Sequence, residues 1–168
     1  MDEQGHARYA FLRGIYDNRG KSFRMEQEGS EKQYSFCVPP LGKSCRVAVY
    51  EACIDALAHM TLEGNADKYR LSLGGVAAPK EGTGQNVRKM KMPDALEYFL
   101  KEHPEVTESE ICTDNDFAGR WACTQLKEQY EKEYVVFYNL PSIEGADYGD
   151  LARQAWEKQQ KQRRERGR

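Results

Sequence analysis

Four acidic residues lie where apolar runs of the chain stop. Glu51 follows "RVAVY", Asp114 and Asp116 follow "EICT", and Asp147 lies beyond "YVVFYNLP". Two carboxylates about 4 Å apart repel each other by roughly 4 kcal/mol at an effective dielectric constant near 20. A marginally stable domain needs compensation for such a cluster, which can be a shared proton, a basic partner or a hard cation.

Helix capping is an alternative explanation for part of this pattern. An Asp in front of a helix accepts hydrogen bonds from the free backbone N–H groups of the first turn, and a helical pattern follows Asp116. A capping residue in a solvated loop would then need no cation. The third acid, Glu51, favours a cation site, because Mg²⁺ takes one or two carboxylates and a nearby Glu can act as general acid or base.

The composition predicts a folded protein without a membrane segment. The chain has 168 residues, of which 39% are hydrophobic and 31% charged, as expected for one domain with a real core. A net charge of −2 leaves any nucleic-acid partner to local basic patches. Without a signal-peptide pattern or a long apolar run, we expect a cytoplasmic protein. The five cysteines form no CxxC pair, which favours buried, reduced thiols over disulfides or zinc.

The hydrophobic pattern indicates which elements would position the acids. Residues 1–45 contain short aromatic and β-branched pieces between turn residues, which predicts a small N-terminal antiparallel β lobe. Across residues 46–168, strand-length apolar runs alternate with helical patterns, which predicts an α/β core whose parallel sheet has about four strands and helices on both faces. In such sheets ligands bind outside the carboxyl ends of the strands, and the four acids fall at that edge.

Basic residues alternate with aromatic residues in the N-terminal lobe. This pattern suits single-stranded nucleic acid, whose bases stack on rings and whose phosphates contact cations. The alternative is that these rings form the core of the lobe itself. The Gly- and Lys-rich segment 82–91 is either a phosphate-binding loop or a solvated connector. The predicted nucleic-acid-binding residues are Arg13, Arg24, Lys32, Lys43, Arg88 and Arg120.

Two segments carry a resemblance to a known family. "VAVYEACIDALA" (47–58) and "CTDNDFAGRWA" (112–122), followed by "GADYGDL" (145–151), resemble the Toprim domain of bacterial-type primases, topoisomerases and recombination-repair proteins. With the segments "EGSEKQYSF", "SLGGV" and "PDALEYFLKEHPE", nearly the whole chain resembles primase-like and mobilisation-associated Toprim proteins of Gram-positive mobile elements. The resemblance implies a Rossmann-like Toprim fold, a general acid/base at Glu51 and a Mg²⁺ pair at Asp114 and Asp116.

The same resemblance implies a function on DNA. It suggests Mg²⁺-dependent (or Mn²⁺-dependent) primase-like nucleotidyl transfer for a plasmid, phage or conjugative element, on single-stranded DNA, with Asp147 as an additional metal ligand. The alternatives are a nuclease acting on DNA or RNA, and a non-catalytic metal- and nucleic-acid-binding module for a helicase or relaxase. One departure favours the binding module: relatives carry a Lys where this chain has Ala146.

Overall fold

The computed structural model describes residue 2 and residues 4–18, 21–80 and 89–166, with the backbone alone for residues 16–18, 21 and 22. The strands are β1 (Phe11–Asn18), β2 (Lys21–Glu26), β3 (Cys37–Val38), β4 (Arg46–Tyr50), β5 (Tyr69–Ser72), β6 (Glu108–Ile111) and β7 (Val135–Tyr138). The helices are α1 (Cys53–Glu63), α2 (Asp94–Glu102), α3 (Phe117–Tyr130), α4 (Tyr148–Arg166) and a short 3₁₀ helix (Lys32–Tyr34).

Five strands form the main sheet in the order β3-β5-β4-β6-β7. The last four in this order pair in parallel, whereas β3 pairs antiparallel with β5 at the edge. The predicted α/β class is therefore confirmed. The sequence predicted about four parallel strands, and the structure adds the two-residue β3.

The central strand β4 separates two hydrophobic clusters. All of its residues from Val47 to Tyr50 are fully buried, and successive side chains of a strand point to opposite faces of the sheet. Val47 and Val49 pack with side chains of α2 and α3, whereas Ala48 and Tyr50 pack with those of α1 and α4. Helices thus cover both faces, as the sequence predicts, and the continuous apolar run of β4 is explained by burial on both sides.

The N-terminal β1 and β2 form an antiparallel hairpin, as predicted for this part of the chain, with an irregularity between Arg13 and Asp17. The third predicted β piece behaves differently, because its residues in β3 join the main sheet. The ammonium of Lys32 donates to the carbonyl of Gly74 at 2.8 Å. A Cβ added to Gly74 would lie 3.2 Å from the hydroxyl of Tyr9, so the chain flanking the hairpin touches the loop after β5.

A buried ion network lies on the α1 side of the sheet. Lys68 and Arg70 are 4% and 0% exposed. The Lys68 ammonium donates to Glu63 at 2.8 Å and to Glu110 at 2.6 Å. Arg70 donates to the other oxygen of Glu63 at 2.7 Å, and the Asn139 amide donates to Glu110 at 2.5 Å. Each buried charge therefore has an opposite charge beside it, as burial requires.

All five cysteines are free. Cys112 and Cys123 are buried, Cys37 and Cys53 are half-buried, and Cys45 is exposed, so the expectation of buried thiols holds for only part of the set. In the described part of the chain, no helix combines the length and the apolar character needed to cross a membrane.

Candidate active site

The pairing of β4 with β6 brings two acids together. Because these strands are neighbours and parallel, the residues after their carboxyl ends meet at one edge of the sheet. The carboxylate of Glu51 accepts a hydrogen bond from the backbone N–H of Asp114 at 3.2 Å. The sequence-based argument needed these two strands to be adjacent, and they are.

The acids open into a cleft of about 340 Å³ between this edge and the N-terminal hairpin. We call it the acid cleft. Five carboxylates and two guanidinium groups line it: Glu51, Asp55, Asp114 and Asp147 from the core, and Glu26, Arg13 and Arg24 from the hairpin. The cleft thus holds a concentration of negative charge on the core side and two cations on the hairpin side.

Asp114 has the most strongly perturbed carboxyl group of the cleft. Its Oδ1 atom is buried and has no hydrogen-bond partner. Burial, followed by the nearby carboxylates of Glu51 and Asp55, raises its pKa to about 8. A buried oxygen acceptor without a donor is costly, and a bound cation would remove that cost.

Glu51 is positioned to exchange a proton near neutral pH. Burial, together with the charges of Asp116 and Asp55, raises its pKa to about 7. The hydrogen bond from the Asp114 N–H acts in the opposite direction. A carboxyl group with this pKa is present in both protonation states at neutral pH, which suits a general acid or base.

Asp55 belongs to the cleft although the sequence analysis did not select it. It lies in the first turn of α1 and is 6% exposed. Burial, followed by the charge of Asp147, raises its pKa to about 6, while Arg13 and Arg24 oppose the increase. The available signal was an acidic residue among the apolar residues of "CIDALA", and only the structure shows that this residue is on the buried side of α1.

Asp147 and Asp116 both cap helices. The Oδ1 atom of Asp147 accepts from the N–H of Asp150 in the first turn of α4 at 2.7 Å, and this residue lines the acid cleft. Oδ1 of Asp116 accepts from the N–H of Gly119 in α3 at 2.8 Å. Asp116 is exposed and lies beside the cleft without lining it. The capping alternative therefore accounts for one oxygen of each residue and leaves the second oxygen for a ligand.

Close packing of α3 sets the path of the loop that carries Asp114. Gly119 is buried, and a Cβ at this position would lie 2.0 Å from the backbone carbonyl oxygen of Asp114. Arg120 donates to the carbonyl oxygen of Asn115 at 2.9 Å and to its side-chain oxygen at 3.1 Å. Glycine at 119 is thus required for the helix to approach the acid loop, and Arg120 holds that loop from outside.

The hairpin brings two of the predicted cations into the acid cleft. Arg13 and Arg24 face each other across the β1–β2 pair, and both line the cleft. The third, Lys32, does not line the cleft. Its ammonium donates to the carbonyl of Gly74 and lies 3.6 Å from the carboxylate of Glu26.

The other predicted cations lie elsewhere. Lys43 precedes β4 and lines a pocket with Tyr69 and Glu105 at the opposite edge of the sheet. Arg120 contacts Asn115 rather than the cleft. Arg88, with most of the segment 82–91, lies outside the described residues.

The donor atoms of the acid cleft fit a hard cation. Among the described residues no three Asp, Glu, Cys or His side chains lie close enough together to form a ready-made metal cage. Mg²⁺ does not need one, because it keeps several waters and uses one or two carboxylates. The unpartnered, buried Oδ1 of Asp114 is the observation that points to such a ligand. A cation at this oxygen would also lower the pKa of Asp114, which burial and the neighbouring carboxylates raise.

Ala146 supplies no charge beside the acid loop. Its side chain is 6% exposed, and its carbonyl accepts from the N–H of Asn115 at 3.0 Å. Gly145 adopts a positive φ of 77° beside it. This segment therefore fixes the acid loop through its backbone, and the two guanidinium groups that line the acid cleft come from the hairpin.

Comparisons with known proteins place the chain in a family. A family model described as Toprim-like matches residues 48–152, which include the last three residues of β4, the acid loop and the start of α4. The four carboxylates on the core side of the cleft lie within the matched segment, whereas Glu26 on the hairpin side lies outside it. A comparison with curated proteins finds no significant match.

Proposed function

Because this chain belongs to the Toprim-like family, we propose that it performs Mg²⁺-dependent phosphodiester chemistry on DNA in the acid cleft, as primase-like nucleotidyl transfer. The family match supports a metal-dependent function on nucleic acid. The observation that carries the proposal within this chain is the Oδ1 atom of Asp114, which is buried and has no hydrogen-bond partner. The backbone N–H of the same residue donates to the Glu51 carboxylate.

Each side of the cleft has a role in this proposal. Asp114 and the second oxygen of Asp116 would hold the metal, with Glu51 and Asp147 beside them. When bound, Mg²⁺ polarises the phosphoryl group and offsets its developing charge. Arg13 and Arg24 on the hairpin side would bind phosphate oxygens, since guanidinium groups bind phosphate in a bidentate manner.

Glu51 would move the proton in this reaction. Its pKa of about 7 allows it to take a proton from the attacking hydroxyl or to give one to the leaving oxygen at neutral pH. Burial next to the Asp114 N–H holds its carboxylate in a fixed orientation. The two arginines would supply the charge stabilisation that Ala146 cannot supply.

The buried Ala146 supports a second candidate function. Without the Lys of its relatives, the chain would serve as a metal-dependent binding module that presents single-stranded DNA to a helicase or relaxase of a plasmid, phage or conjugative element. Hydrolysis of DNA or RNA by the same acids is the third outcome that the test below distinguishes.

An assay with labelled single-stranded DNA, NTPs and Mg²⁺ separates these functions. Longer products indicate nucleotidyl transfer, shorter products indicate hydrolysis, and Mg²⁺-dependent retention without a product indicates the binding module. We expect Asp114→Asn to lower the activity by at least about 100-fold, as expected for loss of a main electrostatic contribution.

The matched control is Asp67→Asn. Asp67 precedes β5 at the opposite edge of the sheet, and its side chain is 59% exposed. This variant should keep the activity of the native chain. Absence of any Mg²⁺-dependent product or retention with the native chain would refute the proposal.

A further inference from the structure

A second cleft, rich in aromatic rings, adjoins the acid cleft. Its volume is about 450 Å³, which is within the usual range of small-ligand sites. We call it the aromatic cleft. Its ring-bearing walls include Tyr9, Phe11, Tyr34, Phe36, Tyr98 and Phe99.

Several separate parts of the fold supply these rings. Phe11 comes from β1, Tyr34 from the 3₁₀ helix, and Tyr98 and Phe99 from α2. The rings of Tyr34 and Tyr98 meet edge to face, with centroids 5.2 Å apart. Tyr34 and Tyr98 are both half-buried, so each retains surface that a ligand can contact.

The two clefts share a wall. Tyr9, Phe11 and Cys53 line both of them. Cys53 begins α1 two residues after Glu51, and Phe11 lies two residues before Arg13 on β1. A ligand that crosses this wall therefore has carboxylates and guanidinium groups on one side and aromatic rings on the other.

This juxtaposition matches the two parts of a nucleotide. A phosphate needs cations, whereas a base has an apolar face that stacks on aromatic rings and an edge that forms hydrogen bonds. At the border of the aromatic cleft, the Gln33 amide and the Glu102 carboxylate offer donor and acceptor groups.

We propose that the aromatic cleft binds a nucleobase of the single strand whose phosphate occupies the acid cleft. This inference rests on the proposed function, because it needs the strand to enter the acid cleft. The rings then add to the affinity without selecting one base strongly, since every base has a stacking face. Tyr34 and Tyr98 would contact the base, and both lie outside the acid cleft.

Two strands of equal length provide the test: one with bases, and one made entirely of abasic sugar phosphates. Binding to each is measured by fluorescence anisotropy in Mg²⁺. We expect the native chain to bind the strand with bases more tightly, and Tyr34→Leu to weaken that binding by about 5- to 150-fold, the range for loss of base–aromatic stacking. Binding of the abasic strand should not change, and Tyr34→Phe should behave as the native chain.

Phe137→Leu is the matched control, since Phe137 is an aromatic residue on the edge strand β7 and is 40% exposed. It should leave both affinities unchanged. Equal weakening of both strands by Tyr34→Leu would mean that the ring has only a structural role and would overturn the proposal. So would equal affinity of the native chain for the two strands.

Photo-crosslinking tests the site without a variant. A strand with 5-iodouridine is irradiated on the native chain, and the attached peptide is identified by mass spectrometry. Attachment to Tyr34 or Tyr98 supports the proposal, and attachment only elsewhere overturns it.

The outcomes separate the two proposals. If the aromatic cleft fails these tests while Asp114→Asn still abolishes Mg²⁺-dependent chemistry or retention, the proposed function remains. If the native chain binds neither strand in Mg²⁺, both proposals fall.

Discussion

Asp114 and Glu51 share a site in which several carboxyl groups are buried close together without enough positive charge to balance them. The folded-state pKa values of Asp55, Glu51 and Asp114 are about 6, 7 and 8, above the ordinary carboxyl values of about 4. Between about pH 4, the ordinary carboxyl pKa, and about pH 8, the pKa of Asp114, the folded metal-free protein therefore holds more protons than the unfolded chain. Its free energy of unfolding consequently falls as the pH rises through this range.

Mg²⁺ should reverse this loss of stability. Millimolar Mg²⁺ should raise the melting temperature more at pH 8 than at pH 5, because the carboxylates are ionised and repel each other at the higher pH. Scanning fluorimetry with Mg²⁺ and with EDTA at both pH values measures the difference. An equal shift at the two pH values, or none, would argue against a metal at these acids.

Asp116 combines a capping role with the proposed metal contact, and two substitutions separate these roles. Asp116→Asn keeps the side-chain oxygen that accepts from Gly119, so the metal-free protein should be as stable as the native chain or slightly more stable. It should lose most of the Mg²⁺-induced increase in melting temperature. A full Mg²⁺ response in this variant would exclude Asp116 as a ligand.

Asp116→Ala is the matched comparison. It removes the cap as well, which costs about 1 kcal/mol of stability. Urea unfolding of the two metal-free variants measures this difference, and equal stability would show that the cap contributes nothing.

At the scale of elements, α3 and the acid loop are in direct backbone contact. A Cβ at Gly119 would meet the Asp114 carbonyl at 2.0 Å, and backbone cannot move aside as a flexible side chain can. We expect Gly119→Ala to destabilise the protein by about 1–3 kcal/mol and to weaken the Mg²⁺ response, because Asp114 must shift.

Gly42→Ala is the control for this substitution. A Cβ at Gly42 meets no atom within 4 Å, so the stability and the Mg²⁺ response should both be retained. Urea unfolding and scanning fluorimetry of the two variants provide the comparison. A Gly119→Ala protein with native stability would show that the helix can move away from the loop at little cost.

The ion network beneath α1 should contribute more to stability than an ion pair on the surface does. Lys68→Met leaves the buried carboxylate of Glu110 without its cation, and breaking one partner of a buried pair costs about 3–5 kcal/mol. Lys91→Met removes an exposed pair with Asp94 and should change the stability by less than about 1 kcal/mol. Chemical denaturation of both variants checks the contrast, and similar losses would contradict it.

At the scale of the whole molecule, the sequence predicted the layered sheet and the edge at which the acids meet. This was possible because a continuous apolar run marks a strand that is buried on both faces, and helical periodicity marks a helix with one buried face. The assignment of β3 to the N-terminal lobe was wrong, since a pairing of two residues is too short to leave an alternating pattern. The division at residues 45 and 46 stays a prediction.

The composition of the acid cleft was harder to predict than its position. Asp55 was missed because a lone acid within a helical pattern does not reveal which face it occupies. Arg13 and Arg24 were selected for their charge, but their opposition depends on the register of β1 and β2, which residue types alone do not determine. The metal-binding and nucleic-acid roles of these residues stay predictions.

The last strand of the main sheet, β7, has no partner on its outer side in the order of the described strands. Val135, Phe137 and Tyr138 are 56%, 40% and 53% exposed there, and such an edge can add a strand from another chain. Arg46 lies over the ring of Phe137, and Lys127 lies over that of Tyr138. These two cations place hydrated charge beside β7, and charge at an exposed edge strand opposes its pairing with a strand of another copy.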